Sequence, residues 1–506
     1  MANELDPHHL VALMNCEFQN KQDHASHHLG STSYSLKYGV RYDHDTNIRS
    51  FPILDAIASI SVSQESSKGV AIALQLNSQK QEIHLTIAEN QEVKDSLINH
   101  LTNIWAKLKA LSDEYAKQRV GRPDKHEGKS PEMSMDMALP LEVEIFRDIH
   151  LYSLEKQMKR VKRWKDDLCI FMTHLLERRG SVDLQGIELN LYNIVVGLIL
   201  TLKLIYRLYD NPQNELTHQE WEMIYSNSLC IGENMTLVLV DRNWSGCENL
   251  AWELKDYRPD GPFKLRHALE KLTSLNRHIE SLFAFAHSPR LRRALQYRMS
   301  ISVVPEQTCT IKFPTLQKQW QSILETTCIE HTDWQWEEAG KLLRRFPLEE
   351  YTCPVHCECG LIQYLQAKQD TPWGNVPPFR YIGVSKLSCS ACRIWIEAFN
   401  GLGRQQFYTR GSHRKWYWPW GMPTVEESLG KIMTGKISGE YIAHQEELGH
   451  LRSGSCSSDT SSLQGAQSRS STAQKELFTS RIAEAELEYG GSRLDLMRAT
   501  YQEHQK

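Results

Sequence analysis

Between residues 353 and 359 the chain reads CPVHCEC, and thirty residues beyond Cys359 it reaches Cys389 within SCSAC. Cys353, His356, Cys357, Glu358 and Cys359, then Cys389 and Cys392, gather thiols, an imidazole and a carboxylate into one short window. Thiolate sulfur and imidazole nitrogen are preferred donors for zinc, and a catalytic zinc leaves one of four positions to water. His356, Cys389 and Cys392 supply three such donors. Two cysteines three apart at a helix start can face one ion, and the free amides there help to stabilise thiolates. Glu358 follows the histidine by two residues, so it can reach the water without ligating the metal, as a proton shuttle must. Other chemistries fit the same residues. Cys353, Cys357 or Cys359 could join Cys389 and Cys392 in a structural zinc knot, or remain buried thiols. A cysteine nucleophile with His356 as base is a further reading, but no partner to orient that base is evident. An intact Glu358 favours the catalytic metal, since a structural site has no need of it.

The elements around these residues must bring them together. FRYIGVSKL, Phe379 to Leu387, is strand-like and CSACRIWIEAF is helix-like, which places the thiols where a strand hands over to a helix. Far upstream, Ile53–Ile60 has helical spacing. Val70–Leu76 and Ile83–Ala88 read as strands of a hairpin turned by NSQKQ. Helical periodicity resumes from Val93 to about Lys117, with Leu97, Leu101, Ile104, Trp105 and Leu108 on one face. Gly121–Asp136 reads as a loop. Between Leu139 and Tyr297 the patterns are helical only, at about 141–178, 184–209, 217–240 and 263–297. MSISVV and TCTIKF form a second candidate hairpin over Met299–Phe313. Short helices follow at 315–326 and 334–345, with another at 425–447. Residues 1–50 read as a polar arm: His8, His9, His24, His27 and His28 are too irregularly spaced for a metal site. Ser453–Thr472 reads as a flexible linker, and 475–502 as a last amphipathic helix.

The order H-x-E then C-x-x-C resembles the zinc-dependent cytidine and nucleotide deaminase superfamily. More narrowly, HCECGLIQYL, YIGVSKLSCSACRIWIEAF and FYTRGSHRKWYWPWGMP look like the fungal branch of the OTT_1508-like deaminases, over about 351–423. The resemblance implies one Zn2+ per chain on His356, Cys389 and Cys392, with Glu358 as the catalytic proton shuttle. Ser388 stands where the superfamily usually has proline, which alters the approach to the helix but removes no ligand. The implied fold is α/β (α+β), a cytidine-deaminase-like three-layer α/β/α core around a mixed sheet. That fold places a helix and a hairpin before the H-x-E helix. The 299–313 stretch is nearer, but 53–90 fits better in type. The family has an asparagine at the end of the second strand in contact with substrate, which here nominates Asn90. The expected organisation is then a polar arm (1–50), the first part of the core (51–92) and a large helical insertion (93–350). The zinc-binding core (351–448), the linker (449–474) and a terminal helix (475–506) follow.

Composition bounds the partners. The chain has 506 residues, 41% hydrophobic and 24% charged, with net charge −4. It lacks the basic excess of a generic nucleic-acid or membrane binder. Twelve cysteines are sparse for a disulfide scaffold of this length. No basic-then-apolar leader opens the sequence, and the longest apolar run, Ile194–Leu202, is too short to span a bilayer. An intracellular protein, cytoplasmic or nuclear, with no membrane segment is expected. Near the C-x-x-C motif, Arg404, Arg410, His413, Arg414 and Lys415 interleave with Tyr408, Trp416, Tyr417, Trp418 and Trp420. Aromatics stack bases and cations meet phosphates, although the tryptophans also suit a buried core. Asn90, Arg410, His413, Arg414 and Trp420 are therefore the candidate substrate contacts, with His413 at the pocket mouth. The function expected is hydrolytic deamination of a nucleobase, nucleoside, nucleotide or unpaired nucleic-acid base. The alternative is a catalytically silent deaminase-like fold with structural zinc, in a protein whose helical region engages protein partners.

Overall fold

The computed structural model describes residues 5–18, 51–63, 69–120, 140–181, 186–211, 213, 215–238, 263–289, 291–328, 334–367, 372–403, 405–423 and 426–447. The expected linker and terminal helix, most of the expected arm with His24, His27 and His28, and Arg404 lie outside these residues. The chain divides into two compact units. One joins 1–62, 66–102 and 293–462; the other joins 63–65, 103–292 and 463–506.

In chain order the elements are α1 (Pro7–Phe18), α2 (Phe51–Ile60), β1 (Val70–Asn77), β2 (Glu82–Glu89), α3 (Asp95–Val120), α4 (Pro140–Tyr152), α5 (Leu154–Ser181), α6 (Ile187–Asp210) and α7 (His218–Val238). Then come α8 (Leu265–Leu272), α9 (Ser274–His287), α10 (Arg292–Gln296), β3 (Arg298–Val303), β4 (Thr308–Lys312), α11 (Gln317–Cys328) and α12 (Trp334–Arg345). The last are β5 (Glu350–Pro354), α13 (Cys357–Ala367), β6 (Gly383–Val384), α14 (Ser390–Gly401) and α15 (Glu427–Glu447).

The first unit is mixed helix and strand, built on a four-stranded sheet in the order β3-β2-β1-β6. The expected hairpin forms: β1 and β2 pair antiparallel from Val70↔Glu89 to Asn77↔Glu82, and Gln81 takes the left-handed conformation (φ 53°) that closes the turn. Val70 to Leu74 are buried without interruption, so both faces of β1 need cover. Helix α2 packs on β1 and β6, whereas α13 packs on β1 and β2. Ala71, Ala73 and Ala88 join the core that holds Leu361, Ile362, Ile394 and Phe399. The hairpin and the segment around residue 383 share one sheet despite their separation in sequence, through Ala71↔Val384 and Ile72↔Gly383. A Cβ at Gly383 would lie 2.4 Å from the backbone of Leu54, so only glycine lets α2 approach this strand. Of the expected strand 379–387 only Gly383 and Val384 pair continuously; single parallel bridges, Tyr381↔Tyr408 and Ser388↔Ser412, carry the rest.

The expected second hairpin is corrected. Its two strands form, but not with each other. β3 runs parallel to β2, from Glu82↔Arg298 to Ile87↔Val303, and β4 pairs antiparallel with β5. Val304 N–H continues the β2 contact by donating to Ile87 O, and Pro305 then lacks the donor to extend the ladder. Of the expected helical region 93–350, the stretch from 293 onward, with β3, β4, α11, α12 and the start of β5, belongs to the sheet-bearing unit.

The expected polar arm is corrected over 7–18. Leu10, Val11, Ala12, Leu13 and Met14 are almost fully buried, and α1 packs against α15 and α12. The apolar run inside PHHLVALMNCEF outweighs its polar ends, whose His8 and Asn15 are buried with hydrogen-bond partners.

The second unit is helical. The expected helix 141–178 is broken at Ser153 into α4 and α5. Helix α6 packs against α5 and α7. Among the described residues it is the one helix long and apolar enough to cross a membrane, yet Leu191, Ile194, Val195, Val196 and Leu198 are buried within the unit. Glu142 is buried too, accepting hydrogen bonds from the hydroxyls of Tyr115 and Tyr225.

Candidate metal centre

His356 sits between β5 and α13. Val355 N–H donates to Gln307 O, and Gly360 N–H donates to His356 O, which opens the first turn of α13. Cys389 caps α14: its Sγ accepts the Cys392 N–H at 3.4 Å. The approach to α14 is fixed by backbone bonds to the 411–415 segment. Ser388 N–H donates to Gly411 O, Ser390 N–H to Lys415 O, and His413 N–H to Ser388 O. A proline at 388 could not make the first of these bonds. The serine is thus used.

The three expected ligands converge. Cys389 Sγ lies 3.3 Å from Cys392 Sγ, and His356 Nδ1 lies 3.6 Å and 3.3 Å from those two sulfurs. Zinc bonds of ~2.3 Å to sulfur and ~2.0 Å to nitrogen put tetrahedral S···S and S···N edges near ~3.8 and ~3.5 Å. The triad therefore needs only a few tenths of an ångström of adjustment. Among the described residues it is the one group of three or more such donors close enough to share an ion. Burial holds the thiols of Cys389 and Cys392 well above the usual range, so they need a cation to become thiolates. Burial lowers the His356 pKa, but the neighbouring Cys389 and Glu358 outweigh it and the net shift is upward. The donor set fits a metal.

Glu358 lies in the first turn of α13, buried, and accepts a hydrogen bond from Cys357 Sγ at 3.4 Å. It is outside the converging donor group, yet its charge acts on His356, Cys357, Cys392 and His413. Asn90, at the end of β2, reaches the same helix: its Oδ1 accepts the Cys357 N–H at 2.8 Å. Gly69 permits this meeting, since a Cβ there would come within 3.3 Å of Cys357 Sγ and 3.4 Å of Asn90 Nδ2. Cys353 and Cys359 are fully buried thiols pushed up to about 12, and neither belongs to the converging group.

The aromatic and basic segment divides. His413 Nδ1 accepts the Lys415 N–H at 3.0 Å, and its ring meets Tyr417 edge-on at 5.1 Å. Burial pushes its pKa down to about 4, so it is neutral near pH 7. Arg414 is in the left-handed region (φ 54°) and its N–H donates to Ser412 Oγ. Arg410 is exposed, and its charge acts on the buried carboxylate of Asp55, which accepts from Tyr381 Oη at 2.6 Å and Val384 N at 3.0 Å. Trp420 is fully buried, so its ring cannot stack a base from solvent; its Nε1–H points at Cys392 Sγ from 3.3 Å. Trp416 is buried, and Trp418 packs among Phe313, Phe346 and Tyr351. Sequence reasoning missed Asp55, although a lone acid inside the apolar run ILDAIASI was a signal. It also missed the contribution of α1: His8 Nε2 accepts the Met422 N–H, and Asn15 Nδ2 donates to Trp416 O.

Residues 355–424 match the family model of the OTT_1508-like deaminases. The match spans the three converging donors, Glu358 and the 405–422 segment, but not the β1–β2 hairpin or the helical unit. Comparison with curated proteins and with solved structures returns no match.

Proposed function

We propose that this chain is a zinc-dependent hydrolytic deaminase acting on a nucleobase-bearing small molecule or an unpaired nucleic-acid base. One observation carries the reading: two buried cysteines and the half-buried His356 converge beside a buried, non-ligating carboxylate, inside the segment that matches a deaminase family. His356, Cys389 and Cys392 would hold the ion. Zinc supplies Lewis acidity there and so lowers the pKa of a water. Glu358 takes the proton that water gives up and delivers it to the departing amine. A C–O bond forms, the C–N bond breaks, and ammonia leaves. Cys357 holds one Glu358 oxygen and leaves the other for that transfer. Asn90 spends its Oδ1 on Cys357 N–H and offers its Nδ2 to the substrate. His413, kept neutral by burial, offers hydrogen bonding rather than charge, while Arg410 and Arg414 would meet a substrate phosphate. The helix α2, the hairpin and the H-x-E helix α13, gathered in one unit, support a deaminase-like core into which the helical unit is inserted.

The test joins metal analysis to ammonia release from a panel of nucleobases, nucleosides, nucleotides and single-stranded oligonucleotides. About one zinc per chain is expected, lost in His356→Ala, Cys389→Ala and Cys392→Ala but kept in Glu358→Gln, which should release no ammonia. Zinc kept in His356→Ala and lost in Cys353→Ala would support the structural knot. Full zinc with no ammonia from any substrate would favour the silent fold.

A further inference from the structure

Among the polar contacts that the triad and its proton shuttle leave without a role is the indole aimed at Cys392, beside a hydrogen bond between the Cys359 and Cys392 side chains. Trp420 Nε1 lies 3.3 Å from Cys392 Sγ, and the ring is 0% exposed. Burial alone does not demand such a bond. Trp320 and Trp395 are also buried, and their Nε1 atoms have no hydrogen-bond partner among the described residues.

The segment carrying Trp420 is fastened by α1 and by the β4–β5 pair. Asn15 Nδ2 donates to Trp416 O at 2.7 Å, and Arg345 holds Asn15 Oδ1 at 3.0 Å. Met422 N–H donates to His8 Nε2 at 3.1 Å, while His8 Nδ1 bonds Asp6 Oδ1 at 2.7 Å. The His8 ring lies 5.7 Å from the Trp420 ring. Gly421 completes the fit: a Cβ there would lie 2.7 Å from Cys309 Sγ and 2.8 Å from Cys353 O, so the segment rests directly on β4 and β5. Residues on both sides of the indole are thus pinned by α1, and the strand pair blocks movement beneath it.

We infer that Trp420 is a positioning residue of the metal centre: its indole N–H stabilises the Cys392 thiolate in the ligand set, and α1 holds the indole there. The inference rests on the metal reading above. A donor to an ionised sulfur makes a charge-assisted bond, stronger than one between neutral groups. It orients the ligand and withdraws electron density from it, as outer partners of metal ligands do.

The test loads wild-type protein and Trp420→Phe with Co2+, whose sulfur-to-cobalt charge-transfer band reports the electron density on the thiolates. Phenylalanine keeps most of the packing and removes the N–H. The band should move to lower energy, and the Co2+ dissociation constant should rise roughly 10–100-fold. Trp320→Phe, which removes a buried indole with no such bond, should move neither. A band and an affinity unchanged in Trp420→Phe, with wild-type protein taking up the metal, would overturn the role of Trp420 and leave the metal reading standing. No Co2+ uptake by wild-type protein would overturn both. Should Trp420→Phe fail to fold, wild-type protein loaded with an NMR-active cadmium isotope decides the matter. A scalar coupling between cadmium and the Trp420 indole proton is expected, and its absence refutes the bond.

Discussion

Replacing Asn90 by alanine probes the seam where two distant stretches of chain meet. Asn90 Oδ1 lies 2.8 Å from the Cys357 N–H, in the first turn of α13, where no backbone acceptor exists within the helix. Cys357 is 5% exposed, so water does not readily replace the lost acceptor. A buried N–H left without a partner costs about 1–3 kcal/mol, and loss of a helix cap costs about 0.5–2. About 2 kcal/mol is therefore expected. At roughly 2–4 °C per kcal/mol for a unit of this size, thermal unfolding should fall by about 4–8 °C. Zinc content should stay near wild type, because none of the three ligands touches Asn90. Ammonia release should fall more than about tenfold, since the neighbouring Glu358 must sit within a fraction of an ångström of its working position. Asn90→Asp separates the two effects. Its carboxylate keeps an acceptor and suits a helix N-terminus, so stability should return. Activity should not, because the substitution removes Nδ2 and adds negative charge near Glu358. Circular dichroism melts, metal analysis and ammonia assays on both variants suffice. An Asn90→Ala protein that melts within 1 °C of wild type, or a fully active Asn90→Asp, would refute the reasoning.

Gly383→Ala should destabilise the sheet-bearing unit by about 1–3 kcal/mol or more, measured by denaturant unfolding, since its Cβ would meet the Leu54 backbone rather than a side chain that can turn away. In the helical unit, burial pushes the His150 pKa down to about 4 despite a hydrogen bond to Asn276, against about 6.5 when unfolded. The unfolded chain then binds the extra proton first. This contribution is favourable above pH 6.5 and is lost as pH falls toward 4, by up to about 3 kcal/mol. Melts at pH 7 and pH 5 should show that loss in wild type and a smaller one in His150→Gln; equal losses would count against it. Arg410→Ala combined with Arg414→Ala should mainly raise KM for a phosphorylated substrate while kcat holds. Single-stranded or monomeric substrates should react much faster than duplex, where flipping a base costs about a few kcal/mol. Steady-state kinetics on the three substrate forms checks both statements.

What the sequence made legible follows the range of the forces involved. The triad could be read because ligand spacing is local: Cys389 and Cys392 are one helical turn apart, and His356 and Glu358 flank a helix start. The hairpin could be read because alternation and its turn are local as well. The pairing of β3 with β2 could not, since a parallel neighbour is chosen by contacts more than two hundred residues apart. α1 was hidden by averaging: the flanking histidines and acids make 1–50 look polar, whereas burial is decided by the five-residue run Leu10–Met14. Trp420 could be read only as an aromatic. Whether an indole faces a base or a cysteine sulfur depends on the fold, and here it faces Cys392 Sγ while its segment is held by the α1 contacts with Trp416 and Met422.

The topology also accounts for where the main helical stretch sits in the chain. β2 and β3 are parallel neighbours, so the chain must return to its starting edge through a crossover of a dozen residues or more. Residues 90–297 contain that crossover, and the main stretch of the helical unit, 103–292, lies within it. Closure cost grows only logarithmically with length, so even a roughly tenfold longer connection costs about 2 kcal/mol. A crossover is thus a tolerant place for insertion. The consequence for the site is unequal. All three candidate ligands come from the stretch 356–392, after the helical stretch 103–292 in the chain, whereas Asn90 and Asp55 precede it. Metal binding should therefore survive damage to the hairpin that abolishes catalysis. On the proposed function, metal content and activity should be separable, with the Asn90–Cys357 bond as the place where they part.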